Sequence, residues 1–463
     1  MQVQDSHLSE SANPLPSPGR AASPPRDPGL PPRRIRRSTN AKRGGVARFL
    51  IQGGRTLHGT IEVAANKNAI LPMMTAALLT EEDCIIGNVP AIADVFVMAQ
   101  LLESVGATVE FLDARTLRIN AAHLSESEPA EHLVERMRAS ILLGAPLLAR
   151  LGRWSMRHPG GDRIGTRSIG THLKAFSILG ASARSEPLAY RVAAQELRPG
   201  EIFLEETSVT ATENIMMLAA RIAGRTVIKN AACEPHVQNL AEMLRAMGAC
   251  VNGAGTNRLV IEGRDSLSGA KCDVWPDHTE AGTFAALAAA AEGDVTIANV
   301  VPEHLEIVLL TLERMGLDFS QENGNLHVRP SRLKSVPQIV TGPWPNFPTD
   351  LASIFIVLAT QADGMTMVHD WMYESRMFFI DRLKEMGARI VLADPHRCVV
   401  SGPSTLRGRE FVSPDIRAGI ALVMAAIIAQ GDSEIDRIEL IDRGYERIDE
   451  RLRALGAAIQ RID

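Results

Sequence analysis

The sequence predicts a mixed α/β (α+β) fold of two domains, each an inside-out α/β barrel of three repeated units whose sheets surround apolar helices. Two periodic features predict it. A phrase close to L-x-x-x-G-A ends a helical pattern six times, in LLESVGATV, FSILGASAR, LRAMGACVN, LERMGLDFS, LKEMGARIV and LRALGAAIQ. Its glycines, Gly106, Gly180, Gly248, Gly316, Gly387 and Gly456, are 74, 68, 68, 71 and 69 residues apart, a period and not scatter. A second helix, apolar on nearly every face, recurs once per unit as KNAILPMMTAALL, MRASILLGAPLLARL, TENIMMLAARIAG, TEAGTFAALAAAAEG, TDLASIFIVLATQADG and DIRAGIALVMAAIIAQG. A helix of that composition belongs inside a ring of other elements.

Each repeated glycine suits the left-handed cap that ends a helix before a strand begins. The strands are short alternating stretches such as TLRIN, RLVIEG and NLHVRP. Six units divide evenly into two sets of three, and the chain is expected to cross between the sets near residues 66 and 276. The expected domains are 46–66 plus 277–463, and 67–276. Residues 1–45 are rich in Pro, Ser and Arg and nearly free of aliphatic side chains, which predicts a disordered tail. Its Arg33, Arg34, Arg36 and Arg37 leave open a polyanion-binding arm or part of a transit peptide, without the apolar segment of a secretory signal.

With 463 residues, 45% of them hydrophobic, the chain can bury two substantial cores. A net charge of -5 provides no global basic field for nucleic acid or an anionic membrane, so basic residues must act locally. No apolar run reaches the roughly 18 residues of a membrane span. The five cysteines, Cys84, Cys233, Cys250, Cys272 and Cys398, form no C-x-x-C pair, which argues against a disulfide framework or a structural zinc. These features lead to the expectation of a soluble, cytoplasmic protein; a monomer or weak homo-oligomer is expected, on no feature of the sequence.

The apolar helices begin with charged or capping residues: Lys67-Asn68, Arg138, Thr212-Glu213, Thr279-Glu280, Thr349-Asp350 and Asp415 to Arg417. Backbone N–H groups of a first turn are unsatisfied and carry the positive end of the helix dipole. Parallel helices would bring these ends to one face per domain, and two such faces opposed form a cleft suited to phosphates.

The stretches KNAILP, MRAS, PGG-x-x-IG-x-R, SVTATEN, NFPTD, ESRM and DRGYER, in this order and spacing, resemble the enolpyruvyl transferase family from about Phe49 to the C-terminus. The resemblance implies transfer of the enolpyruvyl group of phosphoenolpyruvate to the 3-hydroxyl of UDP-N-acetylglucosamine with release of phosphate, the first committed step of peptidoglycan synthesis. It implies no metal and no organic cofactor. The chemistry needs a base, an acid and cations. A substrate carrying a carboxylate and a phosphate close together calls for several Arg or Lys side chains around it. Lys67, Arg138, Arg167, Arg376, Arg417 and Arg443 stand at the matching motif positions, with Lys67 and Arg443 implied in catalysis and the rest in binding. Asn68 and Met372 match further substrate contacts, as do His172, Ser208 and Val209 on the nucleotide side.

Asp350 is implied as the base toward the sugar hydroxyl, with Thr349 available to cap the helix in its place; a purely structural Asp is the rival reading. Asp415 either joins in proton transfer or orients Arg417. Asp162 occupies the loop position where most members carry the acid-catalytic cysteine that fosfomycin alkylates. A carboxylic acid can move the proton if its surroundings raise its pKa, yet it forms no stable thioether, so an active, fosfomycin-insensitive enzyme is expected. A turn residue after two glycines is the plain alternative. The loop from Pro159 to Thr166 is the expected lid.

On the acceptor side the chain departs from the family pattern. Gly170 and Thr171 replace the usual Asp and Leu, Thr210 stands where Gly is common, Glu206 where Lys is common, Leu142 for Trp and His278 for Arg, while Asp94 and Glu234 are retained. Two alternatives therefore stay open: a related transferase with another nucleotide acceptor, and a non-catalytic binding protein.

Overall fold

The computed structural model describes residues 47–162, 164–165 and 167–463; the expected tail, residues 1–45, lies outside the described residues, as do two positions of the expected lid. Gly106, Gly180, Gly248, Gly316, Gly387 and Gly456 all adopt φ between +83° and +105°. Side chains with a Cβ are strained in that region, so glycine here lets each helix end abruptly and the next strand start.

The strands among the described residues form five four-stranded sheets and one three-stranded sheet. Each four-stranded sheet repeats one pattern, a parallel pair continued by two antiparallel pairings. The three-stranded sheet, Arg153–Arg157, Ala189–Ala193 and Ser182–Ser185, has only the antiparallel part. The sheets remain separate and none closes into a barrel, so the mixed α/β class holds while the barrel expected from the repeats is not seen as a closed structure.

Apolar residues fall into two core clusters. One contains Phe49 to Val63 together with residues from Ala281 to Ile459. The other runs from Ala65 to Val274. The first strand, Arg48–Gln52, lies between Asp432–Asp436 and Ala458–Ile462, and the second, His58–Glu62, pairs in parallel with Asp294–Ala298. The N-terminal strands thus complete sheets of the C-terminal half. Where the cores change, the two chain segments run side by side: Asn66 donates its backbone N–H to Trp275 at 2.8 Å, and Asp277 donates to Ala64 at 2.9 Å.

The apolar helices are buried as their composition requires; every residue of His278–Ala290 and of Ala352–Ala359 is buried. Among the described residues no helix is long and apolar enough to cross a membrane.

Candidate active site

The first residues of all six apolar helices line one cavity of about 260 Å³; Lys67, Arg138, Val209, His278, Asp350 and Arg417 represent them, one from each. The convergence gathers six helix starts and their dipole ends, a standing bias toward anions. Four ends are fixed by side-chain caps. Asn66 Oδ1 accepts from the backbone of Asn68 at 2.8 Å, Asp277 Oδ1 from Thr279 at 2.8 Å, Ser208 Oγ from Ala211 at 3.4 Å, and Asp415 Oδ1 from Arg417 at 2.8 Å and Ala418 at 2.9 Å.

Two knots of charge occupy the cavity wall. In the first, Asp94 Oδ2 meets Lys67 Nζ at 2.9 Å and Asp94 Oδ1 meets Arg443 Nε at 2.9 Å, while Arg443 reaches Asp162 Oδ1 at 2.5 Å. Burial alone would push the Asp94 carboxyl up, but Lys67 and Arg443 together hold it below the usual carboxylate range. In the second, Asp350 receives Arg376 at 3.0 Å on one oxygen and Arg417 at 2.8 Å on the other. Here too burial opposes ionisation and is overcome, since Arg417 and Arg376 keep Asp350 well below the usual range. Arg417 also donates to the Tyr445 hydroxyl at 3.1 Å, and Arg376 lies 3.6 Å from buried Asp370.

Arg138 and Arg167 differ from these. Arg138 donates to the carbonyls of Arg167 and Ser168, at 2.5 and 3.3 Å, and Arg167 to the carbonyl of Asp162 at 2.8 Å. Among the described residues no carboxylate ion-pairs with either. Burial, then the charge of Arg167, lowers Arg138 to about 10, the mark of a cation lacking an anion.

Of the fourteen residues to which the resemblance gives a catalytic or binding role, Lys67, Asn68, Arg138, Asp162, Arg167, Val209, Asp350, Met372, Arg376, Arg417 and Arg443 line the cavity. Three do not. His172 is 1% exposed and bonds through Nε2 to Thr210 Oγ1 at 3.1 Å, which puts it behind the wall that Thr210 lines. Ser208 is a helix cap. Asp415 is one as well; burial raises its pKa, and its bond to the Arg417 backbone fits the reading in which it orients that arginine.

One expectation is corrected. Thr349 does not cap the helix in place of Asp350: its hydroxyl donates to Asp370 at 2.6 Å, and the first turn there has no side-chain cap. The Asp350 carboxylate is free of capping because two arginines take it. Asp370, fully buried, also accepts from Thr341 at 2.9 Å and from the Met372 backbone at 3.1 Å. The sequence does not mark it, since a lone Asp just after a strand carries no signal. Nor does the sequence mark Tyr445, although it lies within DRGYER.

The profile of EPSP synthase (3-phosphoshikimate 1-carboxyvinyltransferase) matches residues 51–452. The chain is 44% identical over 421 residues to the UDP-N-acetylglucosamine 1-carboxyvinyltransferase of Treponema denticola, covering 89% of this chain and 98% of that one. It is 45% identical over 423 residues to the enzyme of the same name from Bradyrhizobium diazoefficiens, covering 89% and 98%. Among solved structures, the enolpyruvyl transferase NikO from Streptomyces tendae superposes with a TM-score of 0.82 at 23% identity, covering 90% of this chain and 99% of that one. EPSP synthase from Acinetobacter baumannii gives a TM-score of 0.71 at 20% identity, covering 90% and 100%. At these identities the two structures speak for the fold.

Proposed function

The chain belongs to the EPSP synthase (3-phosphoshikimate 1-carboxyvinyltransferase) family, and on that premise we propose that it transfers the enolpyruvyl group of phosphoenolpyruvate to the 3-hydroxyl of UDP-N-acetylglucosamine. Phosphate is released, and the product opens peptidoglycan synthesis. The observation that carries the reading is the meeting of Lys67, Arg443, Arg376 and Arg417 at one cavity, from motifs far apart in the chain.

The reaction divides the two knots of charge between its steps. Phosphoenolpyruvate takes its place among the cations, where its carboxylate and phosphate compete with Asp94, Asp162 and Asp350. A carboxylate clamped by two arginines is a poor base, because its pKa lies far below the working pH. Once the substrate anion draws Arg376 and Arg417 to itself, the pKa of Asp350 rises and it can take the proton of the sugar hydroxyl. That hydroxyl oxygen attacks C2, and C3 gains a proton from the Asp162 carboxyl, which phosphoenolpyruvate has released from Arg443 and which has taken up that proton from solvent. The resulting ketal then loses phosphate as the C2–O bond breaks, and the Asp162 carboxylate takes a proton back from C3 to restore the double bond. Lys67 and the arginines stabilise the departing phosphate.

A cavity of about 260 Å³ lies below the roughly 300–1,000 Å³ of typical ligand sites, so a nucleotide sugar enters only when the walls part. The change of core near residues 66 and 276 supports a division into the domains 46–66 plus 277–463 and 67–276, three units each, that open and close on this cavity. Closure excludes water and strengthens the cage. Both substrates are small cytoplasmic metabolites, which is where we place the protein, as a monomer or weak homo-oligomer.

A phosphate-release assay with phosphoenolpyruvate and a panel of UDP-sugars and nucleotides tests the proposal. Release with UDP-N-acetylglucosamine is the expected result. Release only with another nucleotide, or with nothing on the panel, overturns it.

A further inference from the structure

Three polar side chains on one wall of the cavity have no part in the phosphoenolpyruvate cage or in proton transfer. Glu213, Glu234 and His236 all line the cavity. Glu213 and His236 are 1% and 6% exposed, and Glu213 Oε1, Glu234 Oε2 and His236 Nδ1 are buried without a hydrogen-bond partner among the described residues. Buried polar atoms are rarely left unpaired, because nothing then offsets their desolvation. Three of them together on a cavity wall point to groups that a ligand completes.

The chemistry of the wall says which kind of ligand. Burial, and then the neighbouring charge of Glu234, push the Glu213 carboxyl well above its ordinary value, toward the neutral acid that can donate as well as accept. Burial lowers His236 to about 4, leaving a neutral ring with one donor and one acceptor. Glu234 accepts the backbone N–H of Trp344 at 3.5 Å through its other oxygen. The wall thus offers mixed donors and acceptors and no cation, which suits uncharged hydroxyl and amide groups and disfavours phosphate. Among the described residues no group of His, Cys, Asp and Glu is arranged to hold a metal ion. Glu213 also lies four residues beyond Val209 on the helix Val209–Ala220, hence on the same face one turn farther in. A ligand whose diphosphate rests at the helix start presents its next moiety to Glu213.

We propose that Glu213, Glu234 and His236 form a specificity subsite for the uncharged sugar of the acceptor, an inference that rests on the nucleotide-sugar reading above. The subsite discriminates a sugar nucleotide from the bare nucleotide and leaves phosphoenolpyruvate binding to the cationic wall.

Calorimetric titration of the full chain with UDP and with UDP-N-acetylglucosamine tests it, on the wild type and on Glu213→Leu and His236→Phe. The wild type is expected to prefer the sugar nucleotide. Each variant is expected to lose about tenfold of that preference, on the scale of one net hydrogen bond, with UDP affinity unchanged. Thermal stability gives a readout that a merely structural role would move the other way: Glu213→Leu replaces an unpaired buried acid by an apolar side chain, so its melting temperature is expected to hold or rise. No preference in the wild type, an intact preference in both variants, or an equal loss for UDP and UDP-N-acetylglucosamine overturns the proposal. A wild type that binds with this preference but releases no phosphate would instead refute the transferase reading, so the two failures are distinct.

Discussion

Replacing Asp350 by Asn removes one negative charge from between two buried cations and is expected to move three observables in different directions. The side chains of Arg376 and Arg417 are 2% and 7% exposed, at 3.0 and 2.8 Å from a carboxylate that is itself 27% exposed. Breaking a fully buried pair costs about 3–5 kcal/mol. Partial exposure of Asp350 screens part of that, and Arg376 keeps Asp370 at 3.6 Å, so about 2 kcal/mol is the expected loss of stability, a fall of several degrees in Tm. The same subtraction leaves the arginines without a competitor, and phosphoenolpyruvate is expected to bind about tenfold more tightly, roughly 1.4 kcal/mol. Loss of the base lowers kcat by about 10²–10⁴. Scanning calorimetry, titration with phosphoenolpyruvate and the phosphate-release assay read these separately. A kcat within about threefold of the wild type would refute Asp350 as the base; unchanged phosphoenolpyruvate affinity would refute the competition between this carboxylate and the substrate.

Wild-type protein is expected to keep full activity through prolonged incubation with fosfomycin, because the Asp162 carboxylate forms no stable thioether, whereas Asp162→Cys acquires time-dependent inactivation and a matching mass increase; inactivation of the wild type would contradict this. Stability is expected to fall on acidification. Burial depresses His172 to about 3 and both His236 and His278 to about 4, while in the unfolded chain these rings protonate near 6.5. The unfolded state therefore binds more protons below about pH 6.5, so the contribution of these rings is complete above that value. It declines toward pH 4 by at most about 1.4 kcal/mol per pH unit for each ring. A Tm that stays flat from pH 7 to pH 5 would show that these rings do not titrate differently on folding.

Much of the site was legible in the sequence because its residues ride on short motifs at helix starts. Lys67, Arg138, Val209, Asp350 and Arg417 each sit in the first turn of an apolar helix, a position the local pattern marks. What those side chains hold was not legible. The bond between Arg443 and Asp94 joins residues 349 positions apart, and that between Arg417 and Asp350 spans 67. The sequence shows Asp94 as retained and gives it no role. Nothing local marks Asp370, because its task, holding the Thr349 hydroxyl beside Arg376, depends on a strand end arriving there from another part of the chain. Thr349 was misassigned for the same reason: a local rule makes it a cap, and a distant carboxylate claims its hydroxyl.

By itself the sequence determined the repeat, the six left-handed glycine turns, the burial of the apolar helices and the supply of cations at their starts. These follow from local rules, since periodicity and backbone conformation act over a few residues. Only the tertiary structure decided which carboxylate each cation meets, that Asp415 caps while Asp350 does not, and that Glu213, Glu234 and His236 share one wall. Electrostatic pairing depends on distances of a few ångströms between side chains far apart in sequence, and those distances exist only once both cores have packed.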